Sequence, residues 1–97
     1  MRAAWPNLKT KTRHIIRVTK KALEYLESCQ HPLAAQWRDK ERRSDGALDI
    51  ALTREELREL WFAMDTCIEV AGKSRPQVNS AIGMMRKIER VLPGAPW

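Results

Sequence analysis

Leu52-Thr53-Arg54-Glu55-Glu56-Leu57 carries the strongest local signal in the chain. The Thr53 hydroxyl is placed to accept from the Glu56 amide while the Glu56 carboxylate reaches back to the Thr53 amide, which is a capping box. Leu52 and Leu57 flank it at the spacing of a hydrophobic staple. A helix is therefore predicted to start at Arg54. Leu57, Leu60, Trp61, Met64, Cys67, Ile68 and Ala71 then repeat along one face, and Gly72 supplies a left-handed terminator. Ser74-Arg75-Pro76-Gln77 opens a second helix with Val78, Ala81, Ile82, Met85, Ile88 and Leu92 inward, and Pro93-Gly94 stops it. The short link between the two predicts an antiparallel helical hairpin.

Upstream of the capping box, Leu48, Ile50 and Leu52 alternate with Asp49 and Ala51, an extended pattern. No hairpin partner is visible beside it, so the segment reads as a short extended connector lying on helices. Ser44-Asp45-Gly46 is a turn. Residues 32–43 open with Pro32, suited to a first helical turn, and carry Leu33 and Trp37 four apart. Thr10 or Thr12 is a candidate cap for a first helix running to Cys29. Its apolar positions are Ile15, Ile16, Val18, Ala22, Leu23, Leu26 and Cys29, with the 15-22-26-29 spacing facing the core. Residues 1–9, with Trp5-Pro6-Asn7, read as an arm. The expected fold is a single all-α domain: a three- to four-helix bundle with a C-terminal antiparallel helical hairpin and one extended connector.

The chain has 97 residues, enough for one small core, and its 43% apolar and 31% charged content is that of a globular domain. No apolar run approaches the roughly 20 residues of a membrane helix, and the first residues lack a secretion signal. Cys29 and Cys67 sit on apolar helix sides as small core residues, which implies free thiols and a reducing cytoplasm. His14 and His31 stand too far apart for a local metal pair, and no Cys-x-x-Cys occurs. Cys29 and His31 lack a third orienting group, and Gly46, Gly72, Gly83 and Gly94 are isolated rather than a phosphate loop. The acids Glu55, Glu56, Glu59, Asp65 and Glu69 read as a solvated face. No enzyme, cofactor or metal site is expected.

Charge distribution points to binding. The net charge is +6, made of +7 over residues 1–23, −5 over residues 24–72 and +4 over residues 73–97. Lys9, Lys11, Arg13, Arg17, Lys20 and Lys21 precede any acid, and four of them, Arg13, Arg17, Lys20 and Lys21, share the outward side of the expected first helix. Cations at a helix N-terminus oppose the macrodipole, so an external anion is a reason for them to be there. A plain solvated face is the other reading. Asn79, Gly83, Arg86, Lys87 and Arg90 form a second stripe on the last helix, with Gly83 either admitting a ligand or packing against a neighbour. If the first and last helices are neighbours, the stripes merge into one groove. Trp61 belongs to the core and Trp37 to the core or its lid. Trp5 and Trp97 either stack on a base or partner, or fold back.

The extended lead-in Leu48–Leu52, the capped Thr53–Leu57 helix start and the second helix to Leu92 together resemble short phage-encoded accessory proteins, including anti-CRISPR and other anti-defence proteins. The resemblance transfers no functional residues. It implies a cytoplasmic binding protein, whose basic helix face would act on exposed nucleic acid, single-stranded DNA or RNA before duplex, or on the nucleic-acid-binding part of a nucleoprotein complex. Two alternatives stand beside it: an inhibitor or adaptor covering an acidic protein surface, and a phage structural or assembly component.

Overall fold

The computed structural model describes residues 13–70 and 75–97. In chain order these form β1 (His14–Val18), α1 (Lys20–Ser28), α2 (Pro32–Gln36), β2 (Leu48–Leu52), α3 (Arg54–Glu69) and α4 (Arg75–Val91). The two strands pair antiparallel, with His14 opposite Leu52, Ile16 opposite Ile50 and Val18 opposite Leu48. The fold is therefore α+β, not the all-α bundle expected above. The connector Leu48–Leu52 does have a partner, and that partner is the segment read as the start of the first helix.

The reason is local and tertiary together. His14-Ile15-Ile16-Arg17-Val18 contains three β-branched residues, which lose rotamer freedom in a helix and pack well on a pleated surface. Ile15 and Ile16 are neighbours, and a strand sends them to opposite faces. Ile16 is 5% exposed and Val18 fully buried, while Ile15 is 78% exposed. The Thr19 hydroxyl accepts from the Ala22 amide at 3.2 Å, so the helix begins at Lys20 rather than near Thr10 or Thr12. Cys29, expected in the core, is exposed at the helix end.

Helix α1 ends in a Schellman motif. The Gln30 amide donates to the Glu27 carbonyl at 3.1 Å and the His31 amide to the Leu26 carbonyl at 2.9 Å. Gln30 adopts φ +56° to close it, a conformation usually given to glycine. The His31 ring nitrogen Nδ1 then accepts from the Leu33 amide at 3.1 Å and caps α2. Leu33 and Trp37 are buried as expected, although the helix is shorter than residues 32–43.

The α3 start forms as read. The Glu56 amide donates to the Thr53 hydroxyl at 3.2 Å, and the Thr53 amide donates to the Glu56 carboxylate at 2.8 Å. Leu57, Leu60, Trp61, Met64 and Cys67 point inward. Helix α4 returns along α3, so that the Trp61 indole N–H reaches the Glu89 carboxylate at 2.9 Å. Its buried stripe is Ala81, Met84, Ile88 and Leu92; Val78, Ile82 and Met85 are only half-buried. The expected stripe counted Met85 inward, whereas the helix turns the neighbouring Met84 into the core. Gly72 and Ser74 lie outside the described residues, as does the arm at residues 1–9. Among the described residues no helix is long and apolar enough to cross a membrane.

Candidate nucleic-acid interface

Helix α4 runs alongside β1, and this neighbourhood brings together part of each basic stripe. The Thr19 hydroxyl is hydrogen-bonded to the Ser80 hydroxyl. Two turns further along α4, the Lys87 ammonium donates to the Arg17 carbonyl at 3.3 Å. Beyond it, Ile15, Ile16, Arg17, Lys87, Arg90 and Val91 line a shallow cleft of about 320 Å³. Two elements of opposite construction make this site. Strand alternation turns Ile15 and Arg17 outward, while the buried face of α4 leaves Lys87 and Arg90 toward the strand.

The expected basic face of a first helix does not exist as such. Arg13 and Arg17 lie in and beside a strand, so the argument from the helix macrodipole covers only Lys20 and Lys21 in the first turn of α1. Lys20 lays its methylenes over Gly46, where a Cβ would stand 2.9 Å from the Lys20 Cδ. Lys21 pairs with Glu24 at 3.8 Å. Arg13 approaches Glu56 at 3.9 Å. Lys9 and Lys11 lie outside the described residues. On α4, Arg86 and Arg90 are exposed with no ion pair among the described residues. Gly83 has no atom within 4 Å of where a Cβ would sit, so it is open rather than closely packed.

Arg17 is the most constrained of these groups. Its Nε donates to Asp49 Oδ1 at 2.9 Å, across the strand pair, and Arg43 Nη1 donates to Asp49 Oδ2 at 2.9 Å. Those bonds, Arg17 first and Arg43 second, hold the Asp49 carboxyl below the usual carboxylate range. In turn Asp49 keeps the Arg17 guanidinium firmly charged. One carboxylate therefore orients two guanidiniums, and Arg43 Nε also approaches Asp45 at 3.9 Å.

Ile15 lines this cleft, and Asp49, itself held by Arg43, orients Arg17 beside it; none of the three carries a site signal in the sequence. The alternating Ile15-Ile16-Arg17-Val18 run, followed by a threonine cap, was the available signal. Other features are structural. Trp97 folds back, its ring 5.7 Å from that of Trp61, with its indole N–H donating to the Pro93 carbonyl at 3.2 Å. Cys29 and Cys67 are both free, and burial pushes the Tyr25 hydroxyl up. Among the described residues no three metal-binding side chains cluster. No protein-family model, curated protein or solved structure matches the chain.

Proposed function

We propose that this protein binds single-stranded nucleic acid along the groove between β1 and α4. The observation that carries the reading is the meeting of Arg17, Lys87 and Arg90 around Ile15, a large apolar side chain left 78% exposed. Cations neutralise phosphates and release their counterions. An apolar side chain between them contacts the base faces that a duplex hides and a single strand displays. Exposed Arg86 adds a further cation on α4, and open Gly83 lets a backbone come near that helix. A cytoplasmic setting, where both thiols stay reduced, goes with this reading. So does the resemblance to phage anti-defence proteins: a small chain of this kind would cover nucleic acid exposed in a host complex.

The test is fluorescence anisotropy with labelled oligo-dT, oligo-U and duplex DNA over a salt series. About four phosphate contacts on a single strand give a log–log salt slope of roughly −3. Lys87→Glu with Arg90→Glu should weaken binding at least about tenfold, since each reversal replaces attraction with repulsion, and leave the helical circular dichroism unchanged. No binding at low salt, a duplex preference, or wild-type affinity in the double variant would overturn the proposal.

A further inference from the structure

Among the described residues, strand β2 is paired on one side only, because the sheet they form has two strands and β1 takes one edge. Which backbone groups occupy the other edge follows from the ladder. In an antiparallel pair, residues alternate between exchanging both backbone bonds with the partner and pointing both groups away from it. Ala47, just before β2, points both away: its N–H donates to Asp45 Oδ1 at 2.9 Å and its carbonyl accepts from the Arg43 amide at 2.7 Å. On β1, the Arg17 carbonyl is turned out to Lys87. Arg17 stands opposite Asp49 in the register, so both clues set the same phase. Asp49 and Ala51 therefore direct their N–H and C=O groups to the open edge, where an unpaired edge is a template for another strand.

A cleft of about 420 Å³ follows this edge. Residues 49–52 in succession form one wall, as the backbone edge of a strand does, and Gln36, the last residue of α2, and Lys40 in the turn that follows stand on the other. The Arg43 amide makes a single backbone bond beside Ala47, and the chain enters β2 through the turn at residues 44–46. With α2 opposite, the slot takes a single strand rather than the two-stranded ribbon of a second copy.

Charge decides the kind of strand. Both acids at the slot are already engaged: Asp49 holds Arg17 and Arg43, and Glu56 accepts from the Thr53 amide and faces Arg13. Arg13 and Lys40 are the cations that line the slot, and Lys40 has no ion pair among the described residues, which leaves its ammonium open to a partner's carboxylate. We infer that the open edge of β2 receives an extended acidic segment of a partner protein as a third strand. Main-chain bonds to Asp49 and Ala51 hold it, and its carboxylates face Lys40. This edge lies across the ribbon from the groove of β1 and α4, so the inference stands independently of nucleic-acid binding.

The experiment uses the ¹⁵N-labelled full chain and a capped synthetic peptide of alternating Glu and Val. Saturable shifts should centre on β2. Exchange of the Asp49 and Ala51 amides should slow at least about tenfold, while that of Ile50, bonded to β1, stays as it was. The same peptide N-methylated at alternate residues should not bind, since it cannot extend the ladder. Replacing Glu by Lys in the peptide should weaken binding about tenfold, and Lys40→Glu in the protein, checked for folding by circular dichroism, should reverse that preference. The inference is overturned if the two amides are already protected in the free protein, if peptide leaves their exchange unchanged, or if N-methylation or charge reversal makes no difference.

Discussion

The chain writes the same sentence twice, once plainly and once not. His14–Val18, Thr19 and Lys20–Ser28 form strand, threonine cap and helix, and so do Leu48–Leu52, Thr53 and Arg54–Glu69. In both units the threonine hydroxyl accepts the amide three residues on, at 3.2 Å each time. The helix starts differ in what surrounds that bond. After Thr53 come Glu55 and Glu56, which suit the positive end of a helix, and Glu56 closes the box. After Thr19 come Lys20 and Lys21, which oppose it, and Ala22 stands where the returning carboxylate would be. At the far end of α1, Gln30 fills a position that favours glycine. The second unit marks its start with locally favourable residues. The first adopts the same geometry because its strand pairs with the second and its helix packs on α4.

The largest effect that tests this separates two adjacent isoleucines. Ile16→Ala should cost about 2–5 kcal/mol in chemical denaturation, because a buried branched side chain leaves a cavity, whereas Ile15→Ala should change stability by less than about 0.5 kcal/mol. Equal losses at the two positions would mean that residues 14–18 do not alternate as a strand. Next come the caps. Thr19→Ala and Thr53→Ala should each cost about 0.5–2 kcal/mol. Were Thr19 inside one long helix, alanine would be neutral or stabilising there, so the sign of that midpoint shift decides between the structures.

Gln30→Gly should raise stability by about 0.5–1 kcal/mol, since glycine adopts φ +56° without the Cβ penalty and keeps both Schellman bonds. A lower denaturation midpoint would show that the turn is not left-handed at that position. The smallest effect belongs to the carboxylate joining the two units. Asp49 is held below its ordinary range when folded, so its pairing with Arg17 and Arg43 stabilises the fold above that range. That contribution is lost as pH falls through the lowered folded value. Thermal melts across the acid range should therefore show a slightly steeper decline for wild type than for Asp49→Asn, small because the groups are exposed and screened. Parallel declines would remove Asp49 as the link between the strands.

Much of the second unit was legible from residues alone. The box at Thr53, the inward run from Leu57 to Cys67 and the returning helix that ends before Pro93-Gly94 all depend on contacts within a few residues. So does the extended character of Leu48–Leu52. The candidate groove was legible in part: Arg17, Lys87 and Arg90 were named, and their meeting depended on two elements being neighbours. The element carrying Arg17 reads as helix in the sequence, because an apolar set at 15, 16, 18, 22 and 26 fits a helical stripe if Ile15 is counted with Ile16. Asp49 and Arg43 were invisible as partners, since ion pairs formed across a strand register leave no spacing signature.

By itself the sequence determined the parts whose energetics are local: capped helix starts, the turn at Gly46, apolar periodicity in α3 and the basic character of both ends. Tertiary structure decided whether His14–Val18 would be helix or strand, because a single strand gains nothing until its backbone groups find a partner. That partner lies 34 residues away on average along the ladder, at Leu48–Leu52. It also decided which side of α4 is buried, since that helix packs on both α3 and α1 and turns Met84 inward, and which cations stand together. Pairing between distant segments is paid for by contacts that no window of neighbouring residues contains, and here it sets both the sheet and the surface offered to a ligand.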